Sequence, residues 1–116
     1  MPTATTFFDY EALYWHFRWH GADFGAGGEL DYLNECCTFL NADRTVNTDI
    51  QECERVTKAE IIRFNAVNNY FAVMETSGII LTFFKPMPIH PAPVGYSGIT
   101  HSYLSNQLYF EENCKR

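Results

Sequence analysis

The stretch Glu60-Ile-Ile-Arg-Phe-Asn-Ala-Val-Asn-Asn-Tyr-Phe-Ala-Val-Met-Glu-Thr-Ser-Gly-Ile-Ile-Leu-Thr-Phe-Phe-Lys-Pro86 decides the fold. Residues 61–65, 70–76 and 79–85 are rich in β-branched and aromatic side chains, and the separators Asn68-Asn69 and Ser77-Gly78 are turn formers. The segment therefore predicts three strands in succession. A primed two-residue turn at Ser77-Gly78 sets the register of the last hairpin, with Thr76 opposite Ile79 and Val73 opposite Thr82. Alternation then places Phe71, Val73, Ile80, Thr82 and Phe84 on one face, and Tyr70, Ala72, Met74, Leu81 and Phe83 on the other. Both faces are largely apolar. Helices must cover one of them, and a tail, a ligand or a partner must cover part of the other.

Upstream of this stretch, residues 50–56 form a weak, polar strand suited to a sheet edge, and Thr57-Lys58 turns it into the meander. Leu30, Leu33, Cys37 and Leu40 recur at helical spacing, predicting a helix over 29–41 whose first turn carries Glu29 and Asp31. Asp9 caps an earlier helix that reaches His20, with Gly21 as its stop. Leu13, Phe17 and Tyr10 make its apolar stripe, and His16 and His20, one turn apart, stand along the rim of that stripe. The glycine-rich connection over 21–28 lacks the Gly-Lys-Ser/Thr that a phosphate loop needs, so it reads as an interhelical turn. After Lys85 the prolines of residues 86–95 exclude helix and interior strand, and a short amphipathic helix is expected over 100–110. The fold class predicted is α+β: two N-terminal helices on a four-stranded antiparallel meander, a Pro-rich extended segment and a short C-terminal helix, all in a single domain of residues 1–116.

The 116 residues are 47% hydrophobic and 16% aromatic, enough to bury one real core and too apolar for a disordered chain. Eight basic against 14 acidic residues give a net charge of −6, which argues against holding nucleic acid by bulk electrostatics. The first ten residues lack a basic start followed by an apolar run, and no stretch approaches a membrane span, so the expectation is a cytoplasmic protein with no membrane partner. Cys36 and Cys37 are adjacent while Cys53 and Cys114 stand alone, so no metal-ligand spacing is present and all four are expected as reduced thiols. No cofactor and no metal site is expected.

His16-Phe-Arg-Trp-His-Gly-Ala-Asp-Phe-Gly25, followed by Arg63-Phe-Asn, Asn69-Tyr-Phe-Ala-Val and Gly78-Ile-Ile-Leu-Thr-Phe-Phe-Lys-Pro86, resembles the small nuclease domains at the C-termini of bacterial polymorphic toxins. Those domains are similar to the barnase, EndoU, colicin and RelE group of metal-independent ribonucleases. The resemblance implies that His16 or His20 acts in acid/base transfer, that Arg63, Thr82 and Lys85 contact the scissile phosphate, and that Asn69 and Tyr70 bind substrate. It also implies RNA as the partner, transfer RNA among the candidates, and an immunity or target protein as a second partner. The residue types suit the chemistry: histidine titrates near neutrality, arginine and lysine neutralise phosphate charge, and threonine is a neutral donor.

Each of these residues has a plainer reading as well. His16 and His20 suit a metal pair or simple rim residues, although Phe17 stands where a zinc protease motif needs glutamate. Arg63 in an apolar strand is either a site residue or a snorkelling side chain, Lys85 an edge charge, and Thr82 an ordinary strand former. His90 and His101 read as incidental. The rival function is a non-enzymatic inhibitor or adaptor from a mobile element, such as a phage or plasmid, that binds a basic host or defence protein through its acidic surface.

Overall fold

The computed structural model describes residues 2–88 and 99–116. His90 and most of the Pro-rich run lie outside these residues. The chain opens with a two-residue strand, β1 (Thr6–Phe7), then α1 (Tyr10–His20), a 3-10 turn (Gly21–Phe24) and α2 (Glu29–Asn41). Four strands follow, β2 (Ile50–Arg55), β3 (Glu60–Asn65), β4 (Tyr70–Glu75) and β5 (Ile79–Phe84). Two short strands, β6 (Met87–Pro88) and β7 (Thr100–His101), and a last helix, α3 (Asn106–Cys114), complete it.

The expected meander is present as the antiparallel neighbours β2, β3, β4 and β5, but the sheet is mixed and five-stranded, because β1 adds itself parallel to β5. Two residues carry no periodicity, so nothing in the local pattern announces this strand. What admits it is Gly78: at φ +99 it closes the β4–β5 turn, and a Cβ there would stand 2.4 Å from the carbonyl oxygen of Thr3. The amide of Thr5 then donates to the Gly78 carbonyl at 3.0 Å, and the N-terminal segment lies against the hairpin.

Register departs from the expected hairpin at one place. Val73 does pair with Thr82, but Met74 pairs with Ile80, so Leu81 is the extra residue of a bulge. That single step corrects the predicted faces. Ile80 joins Met74 and Phe83 under the helices, while Leu81 packs with Phe71, Val73 and Phe84 on the far side.

Both sheet faces carry a core. On the helix side Tyr32, Phe39 and Leu40 of α2 and Leu13 of α1 close over Ile61, Ala72 and Met74. Asp9 caps α1 by accepting the Ala12 amide at 2.8 Å, and Gly21 ends it where a Cβ would meet the Phe17 ring at 2.5 Å. The far face is covered by α3, which begins at a Ser105 cap, later than expected; Thr100 and His101 belong to a strand instead. Phe110 of α3 stacks on Phe64 at 5.6 Å, and Tyr109 lies on Phe71 at 5.1 Å. Cys114 is disulfide-bonded to Cys53 of β2, with Cα atoms 5.9 Å apart, which corrects the expectation of four free thiols. The two cysteines lie 61 positions apart, so only the packing of α3 on the edge strand reveals the pair. Cys36 and Cys37 are free.

Candidate functional site

The two histidines of α1 stand side by side, their ring centroids 5.9 Å apart. Spacing of one turn makes them neighbours, and the strand beside them decides their surroundings. His16 stacks on Phe7 of β1 at 5.0 Å. His20 is 3% exposed and leans on Phe84, the last residue of β5, at 5.6 Å. Neither ring looks out freely from the rim: His16 is half-buried and His20 fully buried.

Burial without partners sets their protonation. Among the described residues the Nδ1 atoms of both rings are buried and have no hydrogen-bond partner. Removal from water disfavours imidazolium, so His16 titrates below its ordinary range. His20 is driven down to about 4, first by burial and then by the neighbouring His16. Both rings are therefore neutral at pH 7.

Asp23 lies in the 3-10 turn that continues α1, within reach of the charge of Lys85. Its Oδ2 is a third buried atom without a hydrogen bond, and burial raises its carboxyl while the charge of Lys85 opposes that rise. Lys85 lies one residue beyond the end of β5, where strict alternation no longer holds. Its Nζ sits 5.6 Å from the ring centres of both Phe24 and Tyr70. Thr82, half-buried, shares the far face of β5 with Phe84.

The structure does not bring Arg63 to the histidines. Its side chain enters the helix layer from β3, two strands from β5, at 3% exposure. Nε bonds Glu52 at 2.8 Å, and one Nη donates to the carbonyls of Phe39 at 3.1 Å and Ala42 at 2.8 Å. The guanidinium thus caps the C-terminus of α2, satisfying carbonyls that a helix end leaves open. Its expected place on the phosphate is taken up by architecture. Asn69 is likewise committed: at φ 62 it turns β3 into β4, donates to the Pro86 carbonyl at 2.8 Å and accepts from Asn106 at 2.9 Å. Tyr70 donates its hydroxyl to Glu35 at 2.7 Å, and burial first, then Glu35, pushes it up to about 12.

Three residues were not singled out from the sequence. Asp23 lay inside the quoted histidine stretch but carried no spacing signal. Glu52 is an ordinary edge-strand acid until β2 pairs with β3. His101, incidental by sequence, is buried: Nε2 meets Asn106 at 2.7 Å, Nδ1 accepts the Tyr103 amide at 3.3 Å, and the ring stacks on Tyr109 at 4.4 Å. With both nitrogens bonded it anchors the start of α3. Among the described residues no three His, Cys, Asp or Glu side chains converge as a metal site, and no helix is long and apolar enough to cross a membrane.

No family model and no curated protein matches the chain.

Proposed function

We propose that the chain is an endoribonuclease of the toxin type that cleaves by acid/base transfer between His16 and His20. The observation that carries this is the pair of adjacent, neutral imidazoles whose Nδ1 atoms are buried and unpartnered, with His20 against Phe84 at the end of β5. Buried polar groups are normally satisfied, and each exception calls for an explanation; among the described residues His16 and His20 share this state with Asp23, Arg55 and Glu60, and of these only the two histidines stand ring beside ring. His20, held unprotonated, takes the proton of a ribose 2′-hydroxyl. The 2′-oxygen then attacks phosphorus, the bond to the 5′-oxygen breaks, and the half-buried His16 delivers a proton to that oxygen, leaving a 2′,3′-cyclic phosphate and a 5′-hydroxyl. A bound phosphodiester raises the pKa of the nearby imidazoles, which is how His16 acquires its proton. Lys85 offsets the growing negative charge, and Thr82 offers a neutral donor from the strand that carries Phe84. Arg63 supports the scaffold and takes no part in the reaction.

The test is to incubate purified protein with total RNA and EDTA from pH 4 to 8, beside His16→Ala and His20→Ala. Cleavage is expected to survive the chelator and to fall about 10²–10⁴-fold in each variant. The rate should be highest on the acid side of neutrality, since both imidazoles titrate low. An absence of cleavage at every pH and concentration would leave the acidic, partner-binding reading in its place.

A further inference from the structure

On the helix side of the sheet a groove runs along α2. Phe24 and Tyr70, whose rings meet edge to face at 4.9 Å beneath Lys85, each form a wall of one of two adjoining cavities. The cavity at Tyr70 measures about 190 Å³ and the one at Phe24 about 310 Å³, and Glu35 and Thr38 line both. The first is smaller than a typical ligand pocket and the second stands at the lower end of that range, and each has room for one planar ring.

Its chemistry narrows the occupant. The residues that line the two cavities include the carboxylates of Asp31 and Glu35 and no lysine or arginine, so a phosphate is repelled from both. Donors and acceptors are nonetheless mixed at Tyr70. Asn65 and Asn68 accept backbone amides through Oδ1, from Val67 at 2.9 Å and from Tyr70 at 3.1 Å. Among the described residues their amide NH2 groups make no hydrogen bond, and both residues line the cavity. Glu35, whose Oε1 holds the Tyr70 hydroxyl, supplies an acceptor. A guanidinium or ammonium has donors only and makes no bond to those NH2 groups, which stay in contact with water at the exposed Asn68 and the half-exposed Asn65. A ligand with an acceptor beside an amino group, flat enough to lie on Tyr70, satisfies both.

We infer that this cavity binds an amino-bearing nucleobase, adenine, cytosine or guanine, of the nucleotide flanking the cut, with Glu35 reading the exocyclic amine and Asn65 and Asn68 the neighbouring ring or keto acceptor. Uracil, with keto oxygens on both sides of its only ring donor, is disfavoured against a carboxylate. The inference rests on the ribonuclease reading for its nucleotide but not for its cavity. Lys85, poised over both rings, marks where the phosphate would remain outside.

Two measurements separate the claims. Titration of labelled protein with cytidine, adenosine, uridine and N-acetyl-arginine amide should shift the side-chain NH2 signals of Asn65 and Asn68 with the first two alone. His20→Ala should bind the same nucleosides, and Glu35→Gln should lose the preference. In cleavage, oligonucleotides differing at one flanking base should be cut about tenfold faster with an amino-bearing base than with uridine, a gap that Glu35→Gln narrows. Equal response to uridine, or shifts with the arginine amide alone, overturns the base-binding cavity. Nucleoside binding without any RNA cleavage overturns the ribonuclease instead.

Discussion

Two cationic or potentially cationic clusters lie within the helix layer, and they are built on opposite principles. Around Arg63 the described contacts give the charge a carboxylate and two carbonyls, with Arg44 a further 3.9 Å from the same Glu52. Around His16 and His20 the walls are Phe7, Phe84 and Trp19, and the inner nitrogens meet nothing among the described residues. The first cluster is fully answered and so holds the fold together. The second is unanswered and stays neutral. Burial of a polar group thus takes two forms here: answered at Arg63, and left open at His16 and His20, as it also is at Arg55 Nε and Glu60 Oε1.

The sharpest way to break the contrast is Arg63→Ala. Removing one member of a buried pair typically costs about 3–5 kcal/mol. Glu52 keeps 22% of its side chain in water and retains Arg44, so the lower end is expected here. Chemical denaturation measures it, and a loss below about 1 kcal/mol would mean that the guanidinium does not hold α2 in place. Activity per folded molecule should survive, which separates this residue from the histidines.

Reducing the Cys53–Cys114 bond probes the far face alone. A cross-link over a long loop contributes about 2–4 kcal/mol. Tyr109 of α3 braces Phe84, the residue His20 leans on, so reduction should raise hydrogen exchange at β5 and leave the Phe39–Arg63 contacts protected. Uniform loosening on both faces would show that the bond serves the whole fold.

A smaller effect comes with acid. His20 titrates near 4 when folded and near 6.5 when unfolded, so the unfolded chain binds more protons between those values. Its contribution is complete above about pH 6.5 and is lost as pH falls towards 4, on the order of 3 kcal/mol at most. His16 shifts in the same direction and adds to the slope. Denaturation midpoints at pH 7.5 and 4.5 decide it, and a flat profile would place the rings in water.

Most of the helix and strand positions could be read from sequence because period and caps are local signals: Asp9, Gly21 and the Leu30-to-Leu40 repeat mark the helix ends without tertiary help. Pairings between distant residues could not. The bulge at Leu81 turns Ile80 inward because Ile80 finds the helix core, which no hairpin rule contains. The same holds for Arg63, whose carbonyl partners lie 21 and 24 positions away, and for the disulfide. At the site, the i to i+4 spacing was enough to place the two histidines together, yet their environment depends on Phe7 and Phe84 from two strands, so their neutrality was not legible.

The finest distinction is drawn by His20→Phe. A structural histidine, such as His101 with both nitrogens bonded, would cost free energy when replaced by a ring that can neither donate nor accept. His20 gives up no hydrogen bond among the described residues, and phenylalanine is close to it in shape beside Phe84. Stability at pH 7.5 should therefore change by less than about 1 kcal/mol, and could rise, because an unmet polar atom is removed from the interior. RNA cleavage should vanish in the same variant, and the acid-dependent loss of stability should shrink with it. A variant that unfolds, or one that cuts RNA as well as the parent, would place His20 with Arg63 among the residues that only build the scaffold.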